Sequence, residues 1–139
     1  MTPFQSLPDY EMFLYSLSEY SSIILTSTVV LVRRSAQLAI VSGEITFAGG
    51  YRLILYEVLN TRYGFLRLTS YGYEVWRNEE QLYWYDSQPH PNNPDLASTH
   101  PHHKHVPPDI KHNRIPAPGL SFTQPNLSLL IAEIEQIIA

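Results

Sequence analysis

Proline and histidine are concentrated in one stretch of the chain, and this stretch limits where regular structure can form. Residues 87–121 contain eight of the eleven prolines and all six histidines. Proline has no backbone N–H to donate to a helix or to a strand ladder, so a regular inner strand or helix is not expected there. We therefore predict a long, ordered Pro/His-rich loop over residues 87–121, with the regular elements before and after it.

The part of the chain before this loop predicts an antiparallel meander. β-Branched and aromatic residues are frequent there, and such residues pack well on a pleated surface. No alternation of strands with helices is present, which argues against a parallel doubly wound sheet. Short turns divide this part into about five strands, which we place at residues 21–34, 36–48, 51–60, 65–77 and 82–86.

A helix is predicted at each end of this meander. In residues 8–19 and again in residues 123–139, apolar side chains recur at a spacing of three and four. Thr123 or Asn126 is a candidate cap for the second helix. Ile137 widens its apolar stripe. The wider stripe could contact a partner protein, such as a second copy in a homodimer. The predicted fold class is α+β.

Length and composition set further bounds. A chain of 139 residues fits a single domain, 1–139, with a core of its own. The absence of cysteine excludes disulfides and thiolate metal sites, and the net charge of −4 argues against a general nucleic-acid coat protein. No leader pattern is visible at the start, and the longest apolar run, Ile23 to Val32, is about half of a membrane helix. We expect a cytoplasmic protein without a membrane span.

The chemistry is concentrated in the run STHPHHKHVPP, residues 98–108. In an extended segment, residues two apart share a face, so His100 could pair with His102, and His103 with His105. Such a pair could chelate a divalent ion with Asp86 or His90 completing the shell.

Two other interpretations of this run stay open. Imidazoles can exchange protons near neutral pH, and Lys104 could stabilise charge on a phosphate, which together suit the cleavage of RNA. Alternatively, the histidines donate to the carbonyl groups that a proline-rich loop leaves unpaired, and their role is structural.

Tyrosines lie two apart on the neighbouring strands. Tyr71 and Tyr73 share one face of their strand, as do Tyr83 and Tyr85. Cross-strand aromatic pairs stabilise sheets, which is the simpler interpretation. An exposed aromatic face would instead stack on bases.

The run YGYEVW…QLYWYDSQPHP…HPHHKHV resembles the TumE-like family of small bacterial and archaeal proteins. The resemblance covers most of the chain, and its specific part is residues 71–106. The shared features are a tyrosine-containing strand, a strand that ends in Asp before a Pro-His pair, a P-H-H-K-H segment, and a strand with a Glu near its end. In this chain they correspond to Tyr71 and Tyr73, Asp86, Pro89–His90, Pro101–His105 and Glu57.

The chain departs from the family pattern at three positions. Trp84 stands where many relatives have an arginine, two residues before the Asp. Glu74 and Pro91 stand where a histidine is frequent. These departures concern the site more than the fold.

The resemblance implies a growth-inhibiting toxin that is held in check by an antitoxin, usually a small helix-turn-helix protein. By analogy with other toxins, its target would be RNA. In this hypothesis one of His102, His103 and His105 is the acid or base. The other roles fall to His90 as its counterpart, Lys104 on phosphate, Asp86 orienting an imidazole, and Tyr71, Tyr73 and Glu57 as binding residues.

A non-enzymatic binding module, with a structural or metal-holding histidine loop, is the alternative. A divalent metal cofactor is compatible with both hypotheses and required by neither.

Overall fold

The fold comes from a computed structural model of the protein, which describes residues 6–139. Residues 1–5 lie outside the described residues. The expectation that the chain starts without a leader pattern rests partly on them. The helices are α1 Leu7–Tyr15, α2 Leu17–Tyr20 and α3 Leu127–Ile138. The strands are β1 Ile24–Ser27, β2 Val30–Arg33, β3 Leu38–Phe47, β4 Tyr51–Asn60, β5 Arg67–Arg77, β6 Glu80–Asp86, β7 His103–His105 and β8 Arg114–Pro116.

All eight strands form one antiparallel sheet, so the predicted α+β class with an antiparallel meander is confirmed. From β3 to β8 the strands follow one another in chain order across the sheet, and β1 and β2 both pair with β3. β4 lies between β3 and β5 and is an inner strand of the sheet. Among the described residues, no helix is long and apolar enough to cross a membrane.

The first predicted strand, 21–34, is in fact divided into β1 and β2. Residues Thr28 and Val29 separate them, and the Thr28 N–H donates to the Glu44 carbonyl, 2.9 Å away. A side chain at Gly43 would meet the backbone at this point, since its Cβ would lie 2.6 Å from the Val29 Cα. The backbone of Thr28 and Val29 can therefore pack directly against β3 only because Gly43 has no side chain.

The N-terminal helix is also divided. The Ser6 side chain caps α1 by accepting from the Asp9 N–H, and the predicted run 8–19 is interrupted at Ser16. Tyr10, Leu14 and Leu17 are buried, as the predicted stripe requires.

The C-terminal helix is confirmed, with a buried stripe at Leu127, Leu130, Ile131 and Ile134. Asn126 occupies the N-cap position but makes no capping hydrogen bond with its side chain. That side chain instead accepts from the Ser121 N–H and donates to the Tyr73 hydroxyl.

The Pro/His-rich segment 87–121 is not the loop that we predicted. It contains a 3₁₀ helix at Pro94–Thr99 and the strands β7 and β8. β7 pairs with β6 on one side and β8 on the other, and none of its three residues is proline. Pro116 lies in β8 at the edge of the sheet, where a missing N–H costs no ladder bond on the open side.

The helices pack on one face of the sheet. That face carries a carboxylate in the core, Glu57, which is fully buried. It accepts hydrogen bonds from the hydroxyls of Tyr10 on α1 and Tyr73 on β5. Burial raises the pKa of Glu57 to about 7, although both hydrogen bonds act in the opposite direction.

Glu57 is therefore expected to make stability depend on pH. The folded protein keeps the Glu57 proton up to about pH 7, whereas the unfolded chain releases it near its ordinary pKa of 4.5. Stability is then lost as the pH rises between these values, by at most about 1.4 kcal/mol per pH unit. We expect this slope in the difference between the unfolding free energies of the wild type and Glu57→Gln, measured by urea denaturation at pH 5, 6, 7 and 8. A difference that does not change with pH would contradict the assignment.

Gly43→Ala is expected to lower the free energy of unfolding by about 1–3 kcal/mol. Its Cβ would overlap the backbone at Val29, and its φ of +148° is unfavourable for a residue with a side chain. Gly72→Ala is the matched control in the same sheet, because no atom lies within 4 Å of its Cβ. Equal urea midpoints for the two variants would refute the close approach.

Candidate functional site

The candidate site forms where β6 and β7 pair. Asp86 lies opposite His103, and Trp84 lies opposite His105. Directly opposed residues of an antiparallel pair project from the same face of the sheet. All four side chains therefore lie on the face opposite the helices, and the pairing alone brings together residues that are about 20 positions apart.

Distances within this cluster are short. The Nε2 atom of His103 lies 2.8 Å from Asp86 Oδ1, and that of His105 lies 3.2 Å from Asp86 Oδ2. The two Nε2 atoms are 3.2 Å apart. We call Asp86, His103 and His105 the Asp–His–His cluster; these are the groups that could hold a metal ion, with one ligand atom each, all within 4.8 Å of one another.

The second nitrogen of each ring fixes its tautomer. His103 Nδ1 lies 3.1 Å from the Pro101 carbonyl oxygen, and His105 Nδ1 lies 2.8 Å from that of Ile110. A carbonyl oxygen only accepts, so both Nδ1 atoms carry hydrogen. In the neutral rings, the Nε2 lone pairs then point into the cluster.

Asp86 is held in its ionised form. The Trp84 indole N–H donates to Oδ2 at 2.8 Å, and the Gln88 backbone N–H donates to Oδ1 at 2.9 Å. Burial alone would raise the pKa of Asp86, but its contacts with His103, Trp84 and Gln88 hold it well below the usual range. The cluster therefore contains a full negative charge at neutral pH.

The two imidazoles of the cluster are almost inaccessible. His103 is 1% exposed and His105 is 2% exposed. Trp84 contributes to this burial, because its ring centroid lies 3.9 Å from that of His105. Burial lowers the pKa of His105, which favours the neutral ring.

His90 lies at the outer side of the cluster. Its ring packs edge-on against His103, with 4.9 Å between the centroids, and it is partly exposed. Partial burial, followed by the charge of Arg114, lowers the pKa of His90. His90, His103, His105 and Asp86 thus lie together in the structure.

His102 is separated from this cluster. Its Nδ1 lies 2.6 Å from the Tyr71 hydroxyl, and the two rings are stacked at 5.6 Å. Phe122 packs against both of them. His100, its predicted partner, is exposed at the end of the 3₁₀ helix, whereas the His102 ring is directed at Tyr71.

Lys104 projects from the opposite face of β7. Its Nζ lies 4.2 Å from the Tyr83 ring centroid and 3.7 Å from Glu133 on α3. The expectation that Lys104 lies among the histidines does not match this position. Successive side chains of a strand alternate between faces, so Lys104 is separated from both of its neighbours.

The residues expected to bind a ligand, Tyr71, Tyr73 and Glu57, also face the helices. Tyr73 and Glu57 are fully buried, and Tyr71 is 4% exposed. Neither tyrosine ring therefore offers a free face on which a base could stack. Of the three, Tyr71 lies nearest the site, where its hydroxyl contacts His102.

Two side chains of the site were not proposed from the sequence. Trp84 could have been found, because it lies two residues before Asp86 on the same strand. Arg114 could not, because β8 was not predicted. It lies opposite His105 on β8, and its Nε is buried without a hydrogen-bond partner among the described residues.

A cavity opens beside Asp86, where β5 and β6 separate. Its volume is about 500 Å³, and its lining includes Asp86, Gln88, Tyr71, Pro101 and Phe122. Asp86 is therefore the member of the cluster through which a ligand can approach.

Comparison with known proteins identifies the family. No curated protein and no solved structure matches the chain. The family model described as Toxin TumE matches residues 14–138, nearly the whole chain. The chain therefore belongs to the TumE toxin family and is a toxin component of a toxin–antitoxin system, which implies a cognate antitoxin.

Proposed function

We propose that this toxin is a ribonuclease whose centre is the Asp–His–His cluster, with His90 as the accessible proton-transfer group. The observation that carries the proposal is the convergence of Asp86, His103 and His105 beside His90 and an open cavity. Clusters of perturbed titratable groups beside a cavity are frequent in active sites.

RNA supplies its own nucleophile, the 2′-hydroxyl, so the protein has only to move protons and to stabilise charge. In the proposed reaction, His90 exchanges a proton with the substrate, since it is the partly exposed imidazole of the group. His103 and His105 are too buried to touch a polynucleotide, and their role is to hold a positive charge between their neutral rings and Asp86, near the scissile phosphate.

Arg114 is the second source of positive charge on this face. Its planar guanidinium suits a phosphate, and its buried Nε has no partner among the described residues. It replaces Lys104 in our proposal, because Lys104 contacts Tyr83 and Glu133 on the other face.

The type of antitoxin and the place where it acts are also part of our proposal. We take the antitoxin to be a small helix-turn-helix protein, and both proteins to act in the cytoplasm, where RNA is accessible. A homodimer also remains a prediction, based on the exposed Ile137 of α3.

A second candidate function is a non-enzymatic binding module. It is favoured by the almost complete burial of His103 and His105, each of which donates to a backbone carbonyl. In that case growth arrest would result from sequestering a cellular component.

RNA cleavage by purified, tag-free protein tests the first function. We expect His90→Ala to lower the cleavage rate by about 10²-fold or more, because it removes the proton-transfer group. Asp86→Asn is expected to do the same by removing the charge of the cluster. His112→Ala is the matched control, since His112 is exposed and pairs with the exposed Asp109; its rate should equal that of the wild type.

Growth arrest on induced expression should follow the cleavage rates: strong for the wild type and His112→Ala, and weak for His90→Ala and Asp86→Asn. Circular dichroism confirms that each variant is folded. If folded His90→Ala and Asp86→Asn arrest growth as strongly as the wild type, and no RNA is cut, the binding module is the correct function.

Lys104→Met and Arg114→Met form a second pair, because these cations lie on neighbouring strands but on opposite faces. Arg114→Met is expected to lower cleavage by at least about tenfold through loss of phosphate binding. Lys104→Met should keep the wild-type rate and change only the stability, by about 1 kcal/mol or less. The reverse result, with Lys104→Met inactive and Arg114→Met active, would show that the phosphate binds elsewhere.

A further inference from the structure

The Asp–His–His cluster has an electrostatic imbalance. Three groups that accept hydrogen bonds face one another: the ionised carboxylate of Asp86 and the Nε2 lone pairs of His103 and His105, at separations of 2.8–3.2 Å. In a buried site such an arrangement is unfavourable unless a cation lies between the groups.

Protons alone do not balance it. A proton on one Nε2 atom leaves the Nε2 lone pair of the other ring facing an Asp86 carboxylate oxygen and the first ring. Two protons would place two imidazolium charges against each other, with their nitrogen atoms 3.2 Å apart and both rings buried. A single ion that accepts electron pairs from all three groups satisfies each of them.

We infer that Asp86, His103 and His105 bind a divalent transition-metal ion of the Zn²⁺ class. The spacing fits such an ion: at bond lengths of 2.0–2.1 Å, neighbouring ligand atoms of a tetrahedral Zn²⁺ are about 3.3 Å apart. The two Nε2 atoms lie 3.2 Å apart, as do His105 Nε2 and Asp86 Oδ2. Imidazole and carboxylate are ligands that Zn²⁺ prefers.

The surrounding hydrogen bonds match this role. Metal-binding histidines commonly donate their other N–H to a carbonyl or carboxylate, and both rings do so here, to Pro101 and Ile110. Trp84 and Gln88 in turn orient the carboxylate. The ligands stand on paired strands, which keeps their spacing fixed without the ion.

Three protein ligands leave the fourth position of a tetrahedral ion for water or substrate. The ion would then be the positive charge that the proposed ribonuclease holds near the phosphate, and only this role of the ion rests on the proposed function. Binding of the ion itself is measured without RNA.

Titration of metal-free, tag-free protein with Zn²⁺ tests the inference by calorimetry. We expect one ion per chain for the wild type and for His112→Ala. His105→Ala and the nearly isosteric Asp86→Asn should weaken binding by more than about 100-fold, and Trp84→Phe by about 10–100-fold, because it leaves the carboxylate without its indole donor. Co²⁺ should give the visible absorption of a tetrahedral complex in the wild type and not in His105→Ala.

Absence of saturable Zn²⁺ and Co²⁺ binding to the wild type would overturn the inference, whether or not the protein cuts RNA. Equal loss of binding in His112→Ala and His105→Ala would also overturn it, since the ion would then bind at the surface. One bound Zn²⁺, lost in His105→Ala, supports the inference even where no RNA is cut, and in that case it is the ribonuclease proposal that fails.

Discussion

The pairing of β7 with β6 is the interaction on which the site depends. β7 consists of only three residues, yet it contributes both histidines of the cluster and forms ladders on both of its sides. The register places His103 opposite Asp86. A shift of one residue would turn both histidines to the helix-packed face and bring Lys104 to the carboxylate. The chemistry of this face is therefore determined by strand register.

The two faces of the sheet have different roles. The helix-packed face holds the apolar core, together with the buried carboxylate of Glu57 and its tyrosine donors. The other face carries the cluster, covered by the proline-rich segment. Each polar group thus has donors close by: Tyr10 and Tyr73 donate to Glu57, whereas Trp84 and the Gln88 backbone N–H donate to Asp86.

The strands before residue 86 and the C-terminal helix could be predicted because their signals are local. A continuous apolar run, Leu53 to Tyr56, marks β4, alternation of apolar residues marks β5, and the apolar stripe marks α3. The sharing of a face by His103 and His105 could also be predicted, since it needs only an extended chain.

The remainder depends on contacts between distant parts of the chain. β7 is too short to produce a pattern, and prolines on both sides of it suggest a loop. The division of β1 from β2 depends on the approach of Val29 to Gly43, which no local signal reveals. Likewise, the position of Lys104 follows from alternation only once β7 is known to be a strand.

The residue at position 84 explains how charge is distributed in this chain. An arginine at position 84 would place a guanidinium beside Asp86 and neutralise the carboxylate from within the strand. Trp84 donates only one neutral N–H to the carboxylate and covers His105. The negative charge of Asp86 is then left to be balanced from the side of the two imidazoles, where Arg114 on β8 lies opposite His105. With tryptophan at position 84, the proposed cation between His103, His105 and Asp86 is the group that balances the carboxylate, whereas an arginine there would supply that charge from within the strand.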